Sequence, residues 1–244
     1  MATRIRIDCG WIVSVDPDIG EIKDGSIIIE DDKIIAIEKD QSAEAEEIID
    51  AKHMIASPGL INAHIHTWQT ALRAIGSDWV SGDYHKNMHS NIATMYSAED
   101  MYLGNLFGGL RQIDNGVTTI FDWCHGLRDI EMTERAVDGI EESGIRAVFG
   151  HGTAKPPIKE GELPFTHVPH PMDRVDHLRN GRLHDDDGLV TLALAILGPD
   201  FGAYDVAIKD LQLAKELDIL STTHVWHGFS RNVPEDAHIK DAYI

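Results

Sequence analysis

Leu189-Val190-Thr191-Leu192-Ala193-Leu194-Ala195-Ile196-Leu197 is a run of nine residues broken only by one hydroxyl. Side chains of a strand alternate between its two faces, so this strand must be covered on both. That is the condition of a parallel strand packed under helices or filling a barrel. Shorter apolar strands recur at Leu60–Ala63, Val117–Asp122, Ile145–Phe149 and Ile219–Thr223, separated by helical periods. Ser97-Ala98-Glu99-Asp100 has an N-cap and an acidic first turn ahead of Met101, Leu103, Leu106, Leu110 and Ile113, and Asn115-Gly116 should stop that helix. Ile130–Ser143, closed by Gly144, and Tyr204–Leu217 repeat the pattern. The alternation predicts an α/β fold with a parallel sheet or barrel from residue 58 onward.

The residues before it read differently. Arg4-Ile5-Arg6-Ile7 alternates, and Ser26–Ile29 and Lys33–Ile37 flank the polar turn Glu30-Asp31-Asp32, which predicts a hairpin in a separate sheet-rich segment, residues 1–57. Gly150–Gly188 is a long connection rich in Pro, His and Gly, with room for a short helix at Met172–Arg179.

Composition limits the functions on offer. The 244 residues are 43% hydrophobic and 25% charged, enough for a sizeable core. Lys and Arg total 21 against 41 acidic residues, and the net charge of −20 would repel a phosphate backbone, so nucleic-acid binding through a basic surface is not expected. The longest apolar stretch is far too short to span a bilayer, and no secretory h-region follows Arg4 and Arg6. Cys9 and Cys124 form neither a disulfide framework nor a cysteine metal cage, which suits a reducing, cytoplasmic setting.

Fourteen histidines are the unusual feature. His64-Ile65-His66 closes the first barrel-type strand, and residues two apart on a strand share a face, about 6.6 Å apart, a span one metal ion can bridge. His224 closes the last strand in the same way. Three imidazoles at strand ends suit a catalytic metal site with an open position, and a bound divalent ion lowers the pKa of its water towards ~7. Gln69 and Trp68, just past the pair, and His125, after the second strand, are candidates to meet a substrate, Trp68 as a wall and Gln69 as a hydrogen-bonding amide. Asp122 reads as a loop anchor, and the other histidines, His85, His89 and His170 among them, as surface residues.

Pro58-Gly59-Leu60-Ile61-Asn62-Ala63-His64-Ile65-His66, with Asn115-Gly116-Val117-Thr118-Thr119, resembles the amidohydrolase superfamily, most of all its cytosine deaminase and chlorotriazine hydrolase branch. The resemblance implies a (β/α)8 TIM barrel carrying a small β-sandwich, the first part of which is residues 1–57, and zinc, or alternatively iron, held by His64, His66 and His224. It implies hydrolysis, through metal-activated water, of a C–N or C–Cl bond in a nitrogen heterocycle or a related amide-like small-molecule substrate. The chain ends after the fifth barrel strand, so residues 58–244 would make only part of that barrel. Family members carry a glutamate three residues beyond the strand-five histidine, where this chain has His227, which is therefore the candidate proton carrier. Five strands cannot close an eight-stranded barrel. The chain is thus expected either to act as part of a homo-oligomer or with a complementing chain, or to be catalytically silent without one.

Overall fold

The computed structural model describes residues 3–39 and 42–225. It divides into two compact units, Met1–Gly59 and Leu60–Ile244.

In the first unit, β1 (Arg4–Val13), β2 (Glu21–Glu30), β3 (Lys33–Glu38) and β4 (Glu47–Ala56) form one four-stranded sheet in the order β3-β2-β1-β4. The hairpin forms where the sequence places it, with Ile27 opposite Ile37 and Asp31 at φ 55° in the turn. β1 runs antiparallel to β2 and parallel to β4. Cys9, Ile12, Ile22 and Ala51 make the small core.

The second unit is α/β. β5 (Leu60–Ile65), β6 (Val117–Cys124), β7 (Arg146–Gly152), β8 (Val190–Ile196) and β9 (Leu220–Thr223) pair in parallel and in chain order. This is the first part of a (β/α)8 barrel, and all five strands stand where the apolar runs predict them. β8 is buried along its length apart from half-buried Thr191, as a strand covered on both faces must be. The helices α1 (Ala98–Asp114), α2 (Ile130–Ser143), α3 (Met172–Arg179) and α4 (Tyr204–Glu216) lie between strands.

Local chemistry sets the helix ends. Ser97 and Asp100 form a reciprocal capping box at α1. Gly144 closes α2 at φ 75°, a left-handed conformation that glycine adopts without steric penalty. At the start of α2 the Asp129 carboxylate accepts the Met132 amide at 2.8 Å. Asp129→Ala should therefore destabilise the chain by about 1 kcal/mol, and an unchanged urea midpoint would contradict that assignment.

α1 departs from the expected pattern. Its buried residues are Met101, Gly104, Asn105, Gly108 and Gly109, whereas Leu103, Leu110 and Ile113 are exposed. The glycines let the helix approach its neighbours: a Cβ at Gly104 would sit 2.5 Å from the Trp68 carbonyl oxygen, and one at Gly109 would sit 2.2 Å from Ser143 Oγ. Residues 67–96 hold a 3-10 helix at Thr67–Leu72 and a π-helix at His85–Ile92.

Candidate metal centre

β5 and β9 are the outermost strands of the five-stranded sheet. In a flat sheet four strand spacings would part them by roughly 19 Å. Instead His64, in β5, and His224, directly after β9, bring their Nε2 atoms to 3.2 Å. The sheet is rolled, and the rolling makes the site.

His66 completes the group, and the ligand atoms of His64, His66 and His224 all lie within 4.8 Å of one another. His66 Nδ1 is 2.6 Å from the Trp123 carbonyl oxygen. A carbonyl only accepts, so Nδ1 carries the proton and the Nε2 lone pair is left free, the tautomer a metal ligand needs. Burial holds His66 down to about 4 and His224 to about 3, and it lowers His64 as well. All three rings are therefore neutral near pH 7. Nitrogens bound tetrahedrally at about 2.0–2.1 Å stand roughly 3.3 Å apart, which the His64–His224 separation matches. The three residues fit a divalent metal.

Behind them lies a buried support. His125 stacks on His66 with ring centroids 4.1 Å apart and planes 16° from parallel. Its Nδ1 accepts the Trp68 indole N–H at 3.1 Å. Asp122 is fully buried, and its Oδ1 accepts the Thr67 amide at 3.0 Å, as a loop anchor should. Burial pushes its carboxyl up to about 6.

The other candidates are placed unevenly. Trp68 is 0% exposed, so it cannot wall a substrate as expected; no ring face is free, and it braces His125 instead. His125 is itself buried beneath His66. Gln69 is half-buried and donates to the Tyr84 hydroxyl at 2.8 Å. His227 lies outside the described residues.

Two groups beside the site escaped the sequence reading. His89, expected at the surface, is buried with no partner on either ring nitrogen among the described residues, its ring 4.5 Å from that of His125. It sits on the π-helix, whose sequence His85-Lys86-Asn87-Met88-His89 carries no helical apolar period. Lys155, three residues past β7, is 7% exposed, with Nζ 5.4 Å from the Trp123 ring centroid. No motif marks it. His170, also expected at the surface, is buried: its Nε2 is 2.8 Å from His151 Nδ1, and its amide donates to Asp210.

No family model matches the chain. It is 34% identical over 148 residues to a 5'-deoxyadenosine deaminase of Methanosarcina barkeri, covering 61% of this chain and 33% of that protein. A 5-methylthioadenosine/S-adenosylhomocysteine deaminase of Carboxydothermus hydrogenoformans is 27% identical over 221 residues, covering 89% of this chain and 45% of the relative. Among solved structures, a variant of the atrazine chlorohydrolase of Arthrobacter aurescens complexed with zinc and atraton superposes with TM-score 0.73 at 24% identity, over 92% of this chain and 53% of the other. A zinc-bound adenosine deaminase of Xanthomonas campestris gives 0.71 at 19% identity, over 91% of this chain and 49% of the other. These comparisons bear out the resemblance to the amidohydrolase superfamily and to its barrel fold. The matched region spans a third to about half the length of these proteins.

Proposed function

We propose that this chain carries the three-histidine part of a metal-dependent hydrolase centre acting on a C–N or C–Cl bond of a nitrogen heterocycle. The observation that supports it above all is the meeting of His64, His66 and His224 from opposite ends of the sheet. The deaminase relatives and chlorohydrolase neighbour supply the reaction class.

In this reading His64, His66 and His224 hold the metal, zinc rather than iron by analogy with the zinc-bound neighbours. When bound, the cation supplies Lewis acidity and makes a hydrolytic nucleophile available near neutral pH. The Trp123 carbonyl fixes the His66 tautomer, and His125, braced by Trp68, fixes the plane of the His66 ring. Gln69, half-buried three residues beyond His66, is assigned to orient a polar edge of the substrate. His227, from its place in the sequence alone, is assigned to carry a proton between the attacking water and the leaving group. Water's oxygen joins the ring carbon, the C–N or C–Cl bond breaks, and ammonia or chloride departs.

A second reading, a chain that turns over only with a partner, has its own support. Among the described residues β5 and β9 each pair with a single strand, and Leu60, Ile61 and Leu220 on them are 63%, 73% and 68% exposed. Open strand edges are templates for another chain.

Release of ammonia from 5'-deoxyadenosine and of chloride from atrazine by the zinc-loaded chain tests the proposal, with sedimentation run on the same sample. Metal-dependent release is expected. Release only from particles heavier than one 27.1 kDa chain supports the second reading. A fully zinc-loaded chain, assembled or not, that releases neither product defeats the catalytic assignment.

A further inference from the structure

The imidazoles around the candidate centre share one neighbour of a different kind. Lys155 is buried beside the Trp123 ring. Its Nζ stands 5.4 Å from the Trp123 ring centroid, and that ring lies 4.3 Å from His224. Among the described residues no hydrogen bond or ion pair reaches it.

A buried ammonium is normally paired, because removal from water is repaid only by an anion or a set of acceptors. Lys155 has neither. Burial lowers it to about 8, with no carboxylate acting in the opposite sense, and it stays mostly protonated at pH 7. Trp123 offers a ring face, a weaker partner for a cation than a carboxylate. Asp122, next to Trp123 in the chain, accepts the Thr67 amide on Oδ1. The ligand group His64, His66 and His224 contains no carboxylate, so a divalent cation held by it would keep its positive charge. The region is built to meet negative charge.

We propose that Lys155 is a specificity residue whose ammonium receives a negatively charged oxygen of the substrate beside His64, His66 and His224, so that among nitrogen heterocycles those bearing an anionic oxygen are bound in preference to neutral ones. This deepens the hydrolase reading and rests on it for the place where the substrate sits. A lysine kept only for packing would be replaceable by an uncharged chain of similar length without altering which ligands bind.

Calorimetric titration of the zinc-loaded chain with orotate, and with uracil as its uncharged counterpart, tests this. Orotate should bind at least tenfold more tightly than uracil. In Lys155→Met that preference should fall to near one, while Lys155→Arg keeps most of it. Equal affinities in the unaltered chain, no measurable orotate binding, or a preference that survives in Lys155→Met would each overturn the proposal. The zinc content of Lys155→Met, measured on the same sample, should equal that of the unaltered chain. Zinc that fails to bind even the unaltered chain speaks against the metal centre itself, whereas full zinc with equal ligand affinities speaks against Lys155 alone.

Discussion

A chain carrying His64→Ala and His66→Ala together is expected to lose zinc almost completely on dialysis, with affinity reduced by more than about a thousandfold. Two of three converging imidazoles disappear, and His224 alone offers one nitrogen. Altering a group that merely supports a ligand already weakens metal binding by about 10–100-fold, so removing two direct ligands must do far more. The fold should survive. His64 is exposed and His66 half-buried, and neither belongs to the buried cluster built on Trp68, Met101, Phe149 and Leu194. Metal content by atomic absorption, with circular dichroism as the check on folding, measures both halves of this expectation. A double variant that retains zinc in full proportion, while folded, would show that these histidines do not hold it.

Much of this arrangement is written locally. β8 is legible because burial on both faces demands an unbroken apolar run, and Val190–Ile196 supplies it. α2 is legible because Gly144 ends it and Met132, Ala136, Val137 and Ile140 recur at helical spacing on its buried face. The histidine pair is legible because strand geometry alone puts residues 64 and 66 together. That His224 would meet them needed more: only rolling of the sheet brings β9 to β5, and that property belongs to all five strands.

What escaped the sequence has physical reasons too. The apolar period of α1 points to its leucines, yet the helix packs through Gly104, Gly108 and Gly109, because close approach of backbones outweighs burial of larger side chains on that face. Leu103, Phe107 and Leu110 are left exposed among the described residues. Lys155 and His89 lie in stretches without periodicity, and their burial is decided by what folds over them. Trp68 was misread for a related reason: its place beside the ligand pair says that it is near the site, not which side of the site it occupies.

That side makes Trp68 the position where stability and site geometry are most tightly joined. Trp68→Ala should destabilise the chain by about 3–5 kcal/mol, a large share of the roughly 5–15 kcal/mol available to a typical domain. The indole is 0% exposed, edge-on to Tyr96 at 5.2 Å between centroids. A Cβ built at Gly126 would lie only 3.2 Å from its ring, so the surroundings are fitted to its shape and cannot readily close over the void. Trp68→Phe separates the two contributions. It keeps most of the bulk but removes the N–H that binds His125 Nδ1, leaving a buried acceptor unpaired at about 1–3 kcal/mol. With that brace gone His125 is free to turn, and the ring stacked on it at 4.1 Å is the metal-facing His66. Trp68→Phe should therefore weaken zinc binding by about 10–100-fold, the range for groups that orient a ligand, though it leaves every ligand in place. Urea denaturation of both variants, paired with zinc competition against a chelator, distinguishes the roles. If Trp68→Phe lowers stability while zinc affinity is untouched, the indole packs the core and does not position the site.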